Sequence, residues 1–304
     1  MPEKTRRRRP IKAGRTRKAH PEAVVCSPAS NGNSAGTYTC YSAPALESMR
    51  RSWNSRRPDK PIDTEDPAEI WRSLHQRMSS TCNSEKCWLR HKFLTSGIDQ
   101  ETLQYTFAPE APRSWRKDPN EWLTSADIEQ VMVQFEHVHK SFAFIGPSPI
   151  DFDKRIEYGE CVWYELCAFN LKSFLKRGKT KIGIVFNTDP HNKDGEHWIS
   201  MFIDAASKDP YIFFFDSTGD PPPPEVTKLA DRILEQARKL GLKMKYYENH
   251  PFEHQKGDTE CGMYSLYMIS QLLRGEKTHH VFKKERITDA EMERLRGEFF
   301  NLPS

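Results

Sequence analysis

From residue 122 onward the chain alternates two kinds of apolar block. Short runs rich in aromatic and β-branched residues, Ile182–Phe186, His197–Asp204 (HWISMFID), Tyr211–Asp216 (YIFFFD) and Lys243–Tyr247, read as strands. Helical patterns lie around them. Thr124 reads as an N-cap and Asp127 as the N3 residue of a helix running to about His137. Four prolines, 221 to 224, stop the sheet. The stretch Glu225–Leu240 then puts Val226, Leu229, Ala230, Ile233, Leu234, Ala237 and Leu240 on one face, with Gly241 at C′. Cys261–Leu273 is apolar all round, which predicts a helix buried in the core. The fold class expected from this order is α+β with a mixed sheet.

The N-terminal third has a different rhythm. Leu46, Met49 and Trp53 fall at i, i+3 and i+7. Asp66-Pro67 with Glu69 reads as an N-cap, an N1 proline and a capping-box partner ahead of Ile70, Trp71, Leu74 and Met78. These predict a small helical arm, preceded by a Ser/Gly/Asn/Pro-rich loop over 21–39 and joined through the proline-rich stretch Ala108–Pro119 to the larger unit. The expected organisation is a disordered basic tail over 1–20, an arm over 21–112 and a larger domain over 113–304.

With 304 residues and 37% apolar content, the chain can build one sizeable core plus a smaller attached unit. The net charge of +4 conceals an asymmetry. Residues 1–20 hold nine Lys/Arg against one Glu, net +8, so the remainder sums to −4. Lys4–Lys18 (KTRRRRPIKAGRTRK) reads equally as a solvated tail, a nucleic-acid contact or a nuclear-import address, and nothing local separates these. No apolar run approaches the roughly 18 residues of a membrane span, and the Arg-rich start lacks a signal-peptide core, so a soluble intracellular protein is expected. Seven cysteines, an odd number without regular spacing, suggest free thiols in a reducing compartment rather than disulfides. Cys26, Cys40, Cys82 and Cys87 match no zinc-finger spacing, so neither a metal site nor a cofactor is expected.

Cys261 carries the candidate chemistry. It stands where a polar loop meets the buried helix, with Asp258 or Thr259 available as caps, and a thiol in a first helical turn feels the positive end of the dipole. Activation needs an imidazole held by an acid. If Asp204 faces Asp209 across a four-residue loop, the hairpin puts His197 opposite Asp216, so the carboxylate can accept the Nδ1 proton and leave Nε2 for the thiol. The bland alternative is that both merely end strands at solvent. His250 and His254 lie nearer Cys261 in sequence but have no strand-paired carboxylate. Gln255 offers a side-chain amide to an oxyanion, or is a surface loop residue. Trp198 is either core or the cover of a substrate groove.

The order His197-Trp198, Asp216-Ser217, Gln255 and Cys261-Gly262 resembles the ubiquitin-like-protein-specific cysteine proteases, the group with the SUMO proteases and the adenovirus maturation protease; papain-like enzymes place Cys first. Trp122-Leu123 with Asp127-Ile128 is similar to the start of that catalytic domain. Gly146–Phe152, Tyr164-Glu165-Leu166-Cys167, Asn187, Asp189–Gly195 and Cys87-Trp88-Leu89 resemble the thiol proteases of large nucleocytoplasmic DNA viruses. The resemblance implies that 113–304 is a cysteine protease domain with a buried helix carrying nucleophile Cys261. His197 is then the base, Asp216 its orienting acid, Gln255 the oxyanion donor and Trp198 a substrate contact. It further implies cleavage after Gly-Gly in viral structural polyproteins during virion maturation, in the virus factory of the host cytoplasm and in the virion. Cellular SUMO proteases usually have Asp before the nucleophile; here it is Glu260, which weakens the case for SUMO as substrate. Removal of a SUMO- or ubiquitin-like modifier, an acetyltransferase with the same residues, and a non-catalytic binding module are the alternatives.

Overall fold

The structure is a computed structural model that describes residues 25–30, 38–82 and 84–302; the basic tail expected over 1–20 lies outside the described residues. The elements run α1 (Ala43–Arg56), α2 (Pro67–Met78), short α3 (Glu85–Trp88), α4 (Lys92–Thr95) and α5 (Gln100–Gln104), then α6 (Ser125–Val138), β1 (Phe142–Pro149), α7 (Tyr164–Cys167), α8 (Leu171–Lys176), β2 (Lys181–Asn187), β3 (Trp198–Asp204), β4 (Tyr211–Phe215), α9 (Pro224–Lys239), β5 (Lys245–Glu248), α10 (Cys261–Arg274), α11 (His279–Phe282) and α12 (Asp289–Phe299).

One five-stranded sheet, in the order β1-β2-β3-β4-β5, organises the larger unit. The outer pairs β1/β2 and β4/β5 are parallel and the inner pairs antiparallel, so the sheet is mixed. Alternation along the strands sends side chains to two cores. Val185, Phe202, Phe213 and Phe215 join α6, α10 and α12 on one side. Ile182, Ile184, Ile199, Met201, Ile212 and Phe214 pack with α9 on the other. The predicted stripe of α9 is buried through Val226, Leu229, Ala230, Ile233 and Ala237, and each fully buried Val, Leu or Ile contributes roughly 1.5–3 kcal/mol. Helix α10 can lie close to the sheet because Gly183 has no side chain: a Cβ there would come within 2.9 Å of both Ile269 and Phe142.

A third cluster gathers Tyr41, Leu46, Met49, Trp53, Ile70, Leu74 and neighbours up to Phe107. Asp66 caps α2 by accepting from Glu69 N–H, and α6 begins with a reciprocal capping box between Thr124 and Asp127. The proline-rich stretch is pinned near both ends of the described residues. Ala108 N–H donates to Val25 O, and Ala111 N–H to Asn301 O. Gln134 of α6 ties in Ser27 and Phe107 through its side chain.

Three expectations are corrected. Six of the seven cysteines pair, as Cys26–Cys40, Cys82–Cys87 and Cys161–Cys167, leaving Cys261 as the free thiol; folding, rather than regular spacing, brings the partners together. The β3/β4 register is shifted by two. Asp204 pairs with Tyr211 and Ser200 with Phe215, so the connection is Ala205–Pro210, made by Asp204 Oδ1 accepting from Ala206 and Ser207 N–H. Finally, Glu260 rather than Asp258 or Thr259 is the N-cap of α10, with no side-chain capping bond.

Candidate active site

The two-residue shift moves His197 and Asp216 from opposed to diagonal neighbours without changing the side of the pleat. They still meet: His197 Nε2–H donates to Asp216 Oδ1 at 2.9 Å. The ring is therefore turned relative to the sequence expectation, with Nε2 on the acid and Nδ1 left for the thiol. The Cys261 thiol lies close enough to the same ring to help raise its pKa. The structure thus brings together three side chains spread over 65 residues.

Each is held by its surroundings. Asp216 is 3% exposed, and its Oδ1 also accepts from Thr218 N–H and Oγ1–H. Asn249 clamps its backbone, accepting from Asp216 N–H at 2.9 Å and donating to Asp216 O at 2.7 Å. Cys261 is the first residue of α10, where helix N–H groups lack intrahelical partners and favour negative charge. Burial pulls the His197 pKa down, but its hydrogen bonds to Asp216 and Cys261 and their charges prevail and raise it to about 10. The protonated ring is the form that can hand a proton to a leaving amine.

Gln255 is buried rather than a surface loop residue. Its Oε1 accepts from Ser217 Oγ–H at 2.7 Å, and its Nε2 donates one hydrogen to Gly257 O at 2.8 Å. One N–H remains for a ligand. The competing histidines are engaged elsewhere. His254 Nε2–H donates to Phe282 O while Nδ1 accepts from Ile287 N–H, and burial lowers its pKa. His250 Nδ1–H donates to Gly219 O. Trp198 belongs to the core and also lines a cavity of about 870 Å³. Its Nε1–H donates to Leu123 O at 2.8 Å, tying the Trp122-Leu123 segment to the His197 strand.

Sequence reasoning passed over several supporting residues. Gly262 follows Cys261, and a Cβ there would lie 2.9 Å from Leu123 Cβ, so only glycine lets that segment reach the helix start. Arg296 of α12 is buried against Glu260 with nitrogen–oxygen distances of 3.0–3.1 Å. It also donates to Glu121 O, the residue before Trp122. Burial raises the Glu260 pKa against the pull of Arg296. Nothing in the pattern of α12 marks that arginine, and Asn249 sits among ordinary loop residues.

An imidazole braced by a carboxylate, within range of a buried thiol at a helix start, can perform acyl transfer through a thioester. Comparison with known proteins agrees with this chemistry. Residues 181–302 match the Ulp1 protease family, C-terminal catalytic domain. The chain is similar to a protein of Acanthamoeba polyphaga mimivirus that bears a thiol-protease name, with 28% identity over 249 residues, 79% of this chain and 76% of that protein. It is also similar to the SUMO-1 cysteine protease of an African swine fever virus isolate, with 26% identity over 246 residues, 77% of this chain and 88% of that one. A crystal structure of the African swine fever virus protease shares the fold, with a TM-score of 0.63 and 23% identity over 92% of this chain and 96% of that chain. Residues 181–302 are accordingly similar to the Ulp1-type catalytic domain, and the chain is a cysteine-type peptidase similar to viral thiol proteases.

Proposed function

We propose that the chain is an endopeptidase cutting after Gly-Gly in viral structural polyprotein precursors, within the virus factory of the host cytoplasm and the maturing particle. The His197–Asp216 bond at 2.9 Å, with the Cys261 thiol on the same ring, carries this reading. Cys261 Sγ attacks the scissile carbonyl carbon with the proton already on His197, whose raised pKa keeps the ring protonated. The first-turn N–H groups of α10 and the spare Gln255 N–H receive the oxyanion. The C–N bond then breaks, His197 protonates the leaving amine, and a thioester remains. Water, deprotonated by the same ring, releases the acid and leaves the proton on the ring again. Glycine selectivity is supported by Leu123, which packs on Gly262 next to the nucleophile, and by Trp198, in the same buried cluster as Cys261.

The second reading, removal of a SUMO-like modifier, draws on the name of the African swine fever virus relative. A polyprotein fragment containing Gly-Gly-X and a SUMO conjugate, offered in parallel to the purified chain, separate the two. Faster cleavage of the conjugate overturns the first. Tethering to nucleic acid by the +8 tail is part of the proposal, and deletion of residues 1–20 is expected to remove salt-dependent DNA binding. Mapping the adduct of a Gly-Gly electrophile tests the nucleophile: an adduct anywhere but Cys261 sinks the assignment.

A further inference from the structure

Leu123, which packs on Gly262, and Trp198, next to His197 in the chain, both line the cavity of about 870 Å³, which places one end of it near the catalytic groups. Its character changes away from them. Five carboxylates, Glu129, Glu136, Glu165, Asp189 and Asp194, line it against one lysine, Lys193. Glu136 is paired with Lys179 and Asp189 with Lys193, and His191 is taken up by Asp151. Glu129, Glu165 and Asp194 form no ion pair among the described residues. Between the acids lie Phe144, Pro147, Pro149 and Trp163.

A second, independent feature points to a ligand. Ser148 is 1% exposed, yet its hydroxyl has no hydrogen-bond partner, and neither has the buried Trp163 indole N–H. Both residues line the same cavity. Buried polar groups are seldom left unsatisfied, and two in the wall of one cavity are hydrogen-bonding capacity that a peptide backbone can claim when a small side-chain rotation exposes them.

We infer that this cavity is a specificity site for a Lys or Arg side chain in the substrate segment flanking the scissile Gly-Gly. The apolar and aromatic lining takes the aliphatic stem and, for arginine, the guanidinium face. The unpaired carboxylates take the charge, and Ser148 and Trp163 bond the extended backbone. The inference rests on the endopeptidase reading for its location beside the scissile bond.

The test uses the full chain and a set of Gly-Gly peptides with Arg, Leu or Glu placed in turn at each flanking position. At one position or more, kcat/KM for Arg over Glu is expected to be about 10-fold, the size produced by a few partly exposed charge contacts. That ratio shrinks as salt is raised and falls toward one in Glu165→Gln/Asp194→Asn. Each ratio is internal to one protein, so partial loss of stability does not disturb it. Should the double variant be inactive, each single variant is expected to lose part of the preference. A ratio below about two-fold at every position of the unaltered chain overturns the inference. If no Gly-Gly peptide is cut, the cleavage reading fails instead. The cavity is then judged by fluorescence anisotropy of labelled Arg- and Glu-flanked peptides on Cys261→Ala protein. Preferential binding of the Arg peptide that disappears with Glu165→Gln/Asp194→Asn sustains the inference, and equal binding overturns it.

Discussion

At the residue scale, the pair His197–Asp216 sets both chemistry and pH response. Asp216→Asn keeps an oxygen for the ring and for Thr218 but removes the charge, so kcat/KM in peptide hydrolysis should fall on the order of 10²-fold. Gln255→Ala removes one oxyanion donor, and kcat should drop by about 10²- to 10³-fold. Loss of all activity would give Gln255 a further role. The pH dependence has a definite sign. The folded pKa of His197 is raised to about 10 from an ordinary 6.5. Its contribution to stability is therefore complete below pH about 6.5 and lost as pH rises through about 10. The melting-temperature gap between the native chain and His197→Gln should be widest near pH 6 and close toward pH 10; a gap independent of pH would contradict this. These two residues were legible because strand alternation preserves face identity. Which ring nitrogen meets the acid was not, because that depends on side-chain rotation.

Elements were legible where a pattern met a terminus signal. Thr124/Asp127 and Asp66/Glu69 located α6 and α2, and the one-sided stripe located α9. Strand β1 was missed because FAFIGPSP contains Gly146-Pro147 and Pro149, which read as loop. An edge strand paired on one side tolerates such residues. The hairpin register escaped because YIFFFD is apolar at every position before its final Asp and a shift of two leaves the same faces buried, so only the Asp204 turn fixes it. The contact between the Trp122-Leu123 segment and the start of α10 is the element-level feature with the sharpest consequence. Gly262→Ala places a methyl 2.9 Å from Leu123 Cβ. Overpacking of that kind costs about 1–3 kcal/mol. Moving Leu123 also strains the bond from Trp198 Nε1 to Leu123 O. Both melting temperature and kcat/KM should fall, while Gly183→Ala, under α10 but away from Leu123, should lower stability with a smaller effect on KM. Equal KM changes in the two would detach the segment from substrate binding.

At the scale of the whole molecule, the cysteines divide into structural and chemical ones. Composition alone suggested seven equivalent thiols; the fold joins six and leaves the seventh, 2% exposed, at the candidate active site. The pairing follows from which loops come together, information that a count cannot contain. Cys26–Cys40 and Cys82–Cys87 belong to the N-terminal part and Cys161–Cys167 to the segment between β1 and β2, whereas His197, Asp216 and Cys261 are positioned by β3, β4 and α10. Closing loops this short is worth about 2–3 kcal/mol each in the chain-entropy account. Protein denatured without reductant should therefore show one titratable thiol, rising to seven with reductant; seven in both conditions would mean that the pairs do not form. In the native chain, mild reductant should speed hydrogen exchange over residues 41–107 while leaving kcat/KM unchanged for a Gly-Gly peptide with no basic flanking residue, because no disulfide touches the three groups at the site and Cys161–Cys167 borders only the cavity through Trp163 and Glu165. A parallel fall in kcat/KM would instead make the N-terminal cluster a working part of the active site, held to α6 through Gln134 and its bonds to Ser27 and Phe107.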